Sequence, residues 1–313
     1  MQNIGVDIGR GYVKVCTIRN GKPCEILFKS IVGDGRTDNI DFDKYTDPMC
    51  IKVNNKTYFV GEMSEKESYS PIRNNSDSKV SKTAEILLCA ALMKMAVDDE
   101  VSIVFGVPNR SYNKRVLKEV VEKYQGKKYE IVDAINNVTK CVTIKNITIF
   151  READAAFIRL KNKGIVDDSK SPVGLVSIGF TTSEFAYFDK GGKFIDSLSD
   201  TLEYGNKDAL GIIKDQLKHK NITKETFQID SSDDYDDMKE VAYEIMSEKM
   251  NQYITDIWKN IDEMDIRVTG GTSKMLQLDR RFKMIDNPQM ATCEGLYDIC
   301  VELFGDVDEE DNE

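Results

Sequence analysis

Histidine is almost missing from this chain: His219 is the only one in 313 residues, and it stands in Lys218-His219-Lys220 at an expected helix end. Histidine-based acid–base catalysis and histidine-rich metal sites are thereby excluded. The seven cysteines (Cys16, Cys24, Cys50, Cys89, Cys141, Cys293, Cys300) are scattered, odd in number and never spaced as a metal knuckle or redox pair. Most lie in apolar segments and read as small core residues in a reducing compartment. No apolar run approaches the roughly 20 residues that span a bilayer. The N-terminus moves directly into a strand pattern, without a signal peptide. A cytoplasmic protein with no membrane partner is expected. Cationic excess is lacking too: 43 Lys+Arg stand against 54 Asp+Glu, a net charge of −11. Such a chain is poorly suited to neutralise DNA phosphates directly. The acid is concentrated in Asp230 to Asp237, read as a solvated loop, and in the tail Asp306 to Glu313.

What is present is α/β patterning in two halves, on a length that allows two cores. An opening hairpin is followed by a strand over Lys22 to Phe28 and a glycine- and aspartate-rich loop from Gly33 to Asp47. Ile51 to Val60 reads as a hairpin turning at Asn54-Asn55. A helix over Thr83 to Val97, a buried strand over Val101 to Val107 and an amphipathic helix from Tyr112 to Tyr124 come next. Strands near Tyr129 to Val132 and Val138 to Phe150 lead to a helix over Glu152 to Lys161. The second half repeats the scheme. Its hairpin runs from Val173 through Gly179-Phe180-Thr181-Thr182 to Phe188, with Gly191-Gly192 as the next turn. Helices over Asn206 to Leu217 and Tyr235 to Asn260, a strand over Asp265 to Val268 and helices over Thr272 to Lys283 and Thr292 to Leu303 complete it. A duplicated α/β unit, rather than an array of short repeats, fits this order. Two such halves facing one another would form a cleft of the kind that takes nucleotides.

The chemistry concentrates in Asn3-Ile4-Gly5-Val6-Asp7-Ile8-Gly9-Arg10-Gly11-Tyr12-Val13-Lys14-Val15. An apolar strand carries Asp7 to a turn with Gly9 and Gly11, and the chain returns with Lys14. Glycines there let backbone amides close round an anion. A cation and an acid able to hold Mg²⁺ through its waters complete a polyphosphate clamp. An ordinary glycine-turn hairpin fits these residues equally well when they are taken alone.

Five segments together resemble the actin, Hsp70 and sugar-kinase superfamily, and most of all its bacterial plasmid-segregation actins of the ParM type. They are Asp7 to Lys14, Glu152-Ala153-Asp154-Ala155-Ala156, Ser177 to Glu184, Val268-Thr269-Gly270-Gly271-Thr272-Ser273 and Asn287 to Tyr297, in the family's order. The resemblance implies an actin-like (ribonuclease H-like) α/β fold of duplicated domains around a central nucleotide cleft. One domain would be 1–157 plus 290–313, the other 158–289. It implies Mg²⁺ with ATP or GTP as cofactors. Asp7 would hold the metal's water shell, with Glu184 a second candidate, and Lys14 would neutralise phosphate. Gly9, Arg10, Gly11 and Tyr12 on one side, and Ser177, Gly179, Phe180, Thr181 and Thr182 on the other, would grip the phosphates. Glu152 would orient the attacking water. Gly270 and Gly271 would lie against the purine, Thr272 and Lys274 at the next helix N-terminus, and Glu203, Gly205 and Lys207 near ribose and base. Read without the other segments, Glu152 is equally a surface acid and Gly270-Gly271 a plain turn.

Two positions depart from the family. Ser177 stands where an aspartate is usual; losing one charge-assisted hydrogen bond costs about 1.5–3 kcal/mol, which puts the hydrolysis rate in question. Arg10 stands where actins carry a small hydroxyl residue. The function implied is a nucleotide-dependent, filament-forming ATPase or GTPase that polymerises head-to-tail and segregates plasmid DNA through a DNA-binding adaptor of the ParR type. The alternatives are a small-molecule kinase of the same superfold and a nucleotide-regulated binding protein with little turnover.

Overall fold

The computed structural model describes residues 1–305, so the acidic tail lies outside the described residues. The chain forms two compact units, one of Met1–Arg159 with the chain from Thr292 onward, the other of Leu160–Ala291.

The first unit runs β1 (Gln2–Ile8), β2 (Tyr12–Arg19), β3 (Lys22–Lys29), β4 (Ile31–Asp34), β5 (Cys50–Val53), β6 (Lys56–Val60), α1 (Glu62–Glu67) and β7 (Ile72–Arg73). It continues with α2 (Lys82–Met95), β8 (Glu100–Val107), α3 (Lys114–Tyr124), β9 (Lys128–Asp133), β10 (Val138–Arg151) and α4 (Glu152–Asn162). Its strands form one sheet in the order β3-β2-β1-β8-β10-β9-β5-β6-β4-β7. β1, β8 and β10 are parallel neighbours, and β8 is buried from Val101 to Val107. Continuous apolar runs of this kind suit strands covered on both faces. Alternation along the strand sends Ile4, Val6 and Ile8 into the core shared with α2. Ser81 caps that helix by accepting a hydrogen bond from the Ala84 amide at 3.1 Å.

The second unit has β11 (Val173–Ile178), β12 (Ser183–Phe188), β13 (Asp200–Leu202), α5 (Asn206–His219), α6 (Thr226–Asp230), α7 (Asp236–Ile257), β14 (Asp265–Thr269) and β15 (Phe282–Met284). Its sheet order is β13-β12-β11-β14-β15. Val176, Ile178 and Val268 pack with Leu210 and Ile213 of α5 and Met246, Met250 and Ile254 of α7. The order and sense match β3-β2-β1-β8-β10: an antiparallel pair at one side, two parallel neighbours at the other. The duplication expected from the sequence is thus a repeated five-strand plan.

Two sequence expectations are corrected. The helix expected over Thr272 to Lys283 is only a 3-10 turn, Gly271–Met275, followed by extended chain and β15. Side chains of α7 capture the amides a helix would need: Ser247 Oγ accepts from Gln277 N and Asn251 Oδ1 from Asp279 N, both at 2.9 Å. Phe282 then pairs with Ile266 and is buried. The loop expected over Gly33 to Asp47 begins as strand, because Val32 to Asp34 pair with Val60 to Tyr58 of β6.

The chain returns to the first unit as α8 (Ala291–Phe304). A Cβ built at Gly295 would overlap the carbonyl oxygen of Ala155 in α4, so the helices touch backbone to backbone there. Arg159 ties the crossing, donating to Glu294 Oε2 at 2.7 Å and to both Asp298 oxygens at 3.1 Å. Gly295→Ala should therefore destabilise the protein by about 1–3 kcal/mol, read as a lower urea midpoint. An unchanged midpoint would mean the two helices part at no cost.

Candidate functional site

In the first unit the hairpin register sets the chemistry. Asp7 faces Lys14 across β1 and β2, and Ile8 faces Val13. Directly opposed residues share a face of the sheet, and Lys14 Nζ lies 2.7 Å from Asp7 Oδ2. Burial pulls the Lys14 ammonium down, but the charge and hydrogen bond of Asp7 outweigh it and leave the lysine above its ordinary value. The Gly9 amide closes the turn on the Tyr12 carbonyl at 3.1 Å. A Cβ at Gly9 would stand 3.8 Å from both Asp7 Oδ1 and Lys14 Nζ, so the glycine keeps the space beside that pair open.

Glu152 opens α4 directly after β10, and its side chain packs where Gly106 of β8 has no Cβ. It is 24% exposed, and Lys79 Nζ lies 3.8 Å from its Oε1. Burial, then the Asp7 charge, push its carboxyl up to about 7; Lys79 and Lys14 oppose this, and Asp77 adds to it. The structure thus groups Asp7, Lys14 and Glu152 in one charged cluster.

Arg10 pairs with Asp77. Its Nε donates to Asp77 Oδ1 at 3.0 Å, and Arg110 holds the other oxygen of the same carboxylate at 2.8 Å. Burial would raise Asp77, but Arg110 and Arg10 hold it below the ordinary carboxylate range. The Gly11 carbonyl accepts from Ser30 N at 2.9 Å. Sequence reasoning missed Asn74, Asp77 and Lys79. They lie in a polar stretch without apolar period, and only contacts distant in sequence reveal them.

The second unit repeats the hairpin register. Ser177 faces Glu184, Ile178 faces Ser183, and the Gly179 amide donates to Thr182 O at 2.9 Å. Serine and glutamate thus stand where the first hairpin has aspartate and lysine, and Glu184 shares the face of Ser177. Two other sequence-chosen segments converge on this turn. The amides of Asn206 and Lys207 donate to Gly179 O at 3.1 Å and Phe180 O at 2.7 Å, with Gly205 packed on the Phe180 backbone. Thr272 Oγ1 also donates to Gly179 O, at 2.9 Å. Glu203, Lys207 and Lys274 are exposed, and Thr181 is half-buried.

The loop at Gly270 is fixed by its protein neighbours. Gly270 adopts φ +91°, and a Cβ there would overlap the Ile178 backbone, so its glycine is required by packing against β11. Thr272 and Ser273 spend their hydroxyls on the backbone oxygens of Gly179 and Gly270. Both sit in a short 3-10 turn rather than at an α-helix N-terminus. Gly271 instead lies against the side chain of Gln289.

Among the described residues no group of three or more His, Cys, Asp or Glu side chains could cage a metal. One carboxylate beside an open space nevertheless fits a magnesium ion, which keeps several waters and takes one or two carboxylates together with phosphate oxygens.

The raised carboxyl of Glu152 gives a pH test. An acid whose folded value lies above its unfolded value contributes stability that is present at low pH and lost as pH rises through the folded value. The stability of Glu152→Gln relative to the parent should therefore improve between pH 4.5 and about 7, measured by urea unfolding across that range. A pH-independent difference would mean that Glu152 titrates as an ordinary surface acid.

Residues 5–153 match the family model described as the actin like proteins N terminal domain. No curated protein matches the sequence. Among solved structures, an archaeal actin homolog aligns with TM-score 0.80 and 16% identity over 96% of this chain and 100% of that one. A ParM from Clostridium botulinum, solved as a 15-stranded filament, aligns with TM-score 0.81 and 20% identity, covering 96% and 99%. A Bacillus thuringiensis ParM with ATP gives TM-score 0.70 and 14% identity, covering 97% and 99%. The archaeal homolog has also been solved in complex with ADP. The chain as a whole thus has the actin-like fold, and residues 5–153 are similar in sequence to the N-terminal domain of actin-like proteins.

Proposed function

We propose that this protein is a filament-forming nucleotidase that binds a magnesium–nucleoside triphosphate, ATP or GTP, and assembles head-to-tail. The observation that carries this reading is the charged cluster of Asp7, Lys14 and Glu152 around a glycine turn. It is supported by the nucleotides and the filament of the proteins that share the fold. Lys14 neutralises phosphate, and the backbone of Gly9, Gly11 and Tyr12 forms one phosphate-facing turn. Arg10 braces that turn through Asp77. Gly179, Phe180, Thr181 and Thr182 supply a second turn. Gly205, Gly270, Gly271 and Thr272 shape the nucleoside loop, with Glu203, Lys207 and Lys274 at its exposed rim. Asp7 would hold the metal's waters, with Glu184 as the second candidate for that role. Bound magnesium would neutralise charge on the phosphates. Glu152, once ionised, accepts a hydrogen bond from the attacking water and orients it.

Head-to-tail contacts that do not close into a ring give filaments. Nucleotide binding would favour the assembling state and phosphate loss the dispersed one. The cargo would be plasmid DNA in a bacterial cytoplasm, held through a DNA-binding adaptor of the ParR type. A net charge of −11 agrees with indirect contact. No helix among the described residues is long and apolar enough to cross a membrane.

A second reading, a nucleotide-regulated binder with little turnover, is favoured by Ser177, which brings no charge to the metal's waters. A small-molecule kinase is less well supported, because Asp154, the one candidate base for an acceptor hydroxyl, is paired with Arg151 at 2.8 Å.

Sedimentation with Mg-ATP or Mg-GTP at micromolar protein tests the reading. Pelleting that requires nucleotide is expected, and its absence with every triphosphate would overturn filament formation. Asp7→Ala should abolish Mg-nucleotide binding in equilibrium titration; retained affinity would misplace the clamp. Glu152→Gln should assemble normally yet release phosphate about 100-fold more slowly or worse. Turnover equal to the parent's would assign the water to another residue.

A further inference from the structure

The turn between β1 and β2 is gripped from outside by one short segment. From the end of β7, Arg73 to Lys79 runs past the turn and reaches Ile8, the last residue of β1, and all three residues of the turn, Gly9, Arg10 and Gly11. Lys79 Nζ donates to Ile8 O at 2.9 Å, and Asn74 Nδ2 to Gly9 O at 3.3 Å. Asp77 accepts from Arg10, and Arg73 Nη1 donates to Gly11 O at 3.4 Å. Lys79 and Asn74 are each 3% exposed. The segment is itself anchored: Asn74 N donates to Ser30 O at 2.8 Å, and the Lys79 carbonyl accepts from the buried Tyr124 hydroxyl at 2.6 Å. At its other end Arg73 pairs with Ile31 of β4.

A buried lysine is retained only where its charge is met. The ammonium of Lys79 meets a backbone carbonyl of the turn and the carboxylate of Glu152, 3.8 Å away. In a trans peptide the carbonyl and the following amide point to opposite sides. Holding the Gly9 carbonyl toward Asn74 therefore turns the Arg10 amide away from the segment. We propose that Lys79 is a positioning residue of this turn: with Arg73, Asn74 and Asp77 it clamps the turn from its carbonyl side. It thereby fixes both the direction of the amides that meet a polyphosphate and the place of Glu152. This rests on the reading of the turn as a phosphate site. It adds that the geometry of that site is imposed by the 73–79 segment and not by the hairpin alone.

The test compares the full chain with Lys79→Met, Lys79→Arg and Asp77→Asn. Hydrogen–deuterium exchange is followed without nucleotide, and phosphate release with Mg-ATP. In Lys79→Met, exchange at Ile8 to Tyr12 should accelerate about ten- to a hundredfold, while the β8 and β10 amides keep parental rates. Its kcat should fall more than its KM rises, because the turn is needed in one orientation when charge develops. Lys79→Arg should recover most of both effects. Asp77→Asn, which leaves the buried lysine in place, should give a smaller acceleration confined to the same peptide.

Parental exchange at Ile8 to Tyr12 in Lys79→Met would overturn the proposal. So would an acceleration spread evenly over the first unit, the mark of a merely structural residue. Should Lys79→Met not fold, the Asp77→Asn exchange decides: parental rates at the turn reject the clamp. Should the parent neither bind nor hydrolyse nucleotide, the phosphate reading fails, and the exchange result still decides whether the segment sets the turn.

Discussion

The arrangement depends on one buried carboxylate. Asp7 stands at the end of an apolar strand, 4% exposed, where an unpaired charge would be expensive. The hairpin register brings Lys14 opposite it, so pairing requires nothing beyond correct strand alignment. Once that pair exists, its surroundings follow. A Cβ at position 9 would press on the Tyr12 carbonyl beside it, Glu152 feels its negative member, and Lys79 answers Glu152. Two acids and two bases share the end of β1. Burial and the Asp7 charge raise the carboxyl of Glu152, and Asp7 raises the ammonium of Lys14 against the pull of burial, each above its ordinary value.

The repeated five-strand plan shows what duplication preserves and what it releases. Both hairpins keep the backbone closure, glycine amide to carbonyl three residues on, and the same register of opposed residues. The side chains at the opposed positions differ: an ion pair in the first hairpin, a hydroxyl and a carboxylate in the second. Backbone geometry is the shared inheritance, and charge is where the copies diverge. In the second copy, carbonyls of the turn are occupied by Asn206, Lys207 and Thr272, so the loop around Gly270 is built into the turn rather than laid beside it.

Much of this was legible in the sequence because it is local. Alternation and glycine turns gave both hairpins, and the apolar runs gave β1, β8 and β11. What escaped was set by partners far along the chain. The helix expected after Thr272 lost its amides to Ser247 and Asn251, which no window around Leu276 contains. The partner of Arg10 is Asp77, 67 residues away, which no local window contains. Lys79 lies in a stretch that reads as polar loop, and its burial depends on Tyr124, Ile8 and Glu152. The constraint on Gly270 comes from the backbone of β11, which lies about 90 residues earlier in the chain.

The late position of α8 bears on how the first unit comes together. Leu296, Ile299 and Cys300 fill a small core with Val104 and Ala155, and Cys293 reaches the Gly5 carbonyl. These partners leave the ribosome some 140 to 290 residues before the helix that covers them, by their positions in the chain. The nascent protein must therefore carry β1 and β8 with one face bare until α8 has been made. Meanwhile the second unit, whose segments are continuous, can complete itself. A contact between segments so far apart in sequence is slow to form, and here it closes the sheet that carries Asp7.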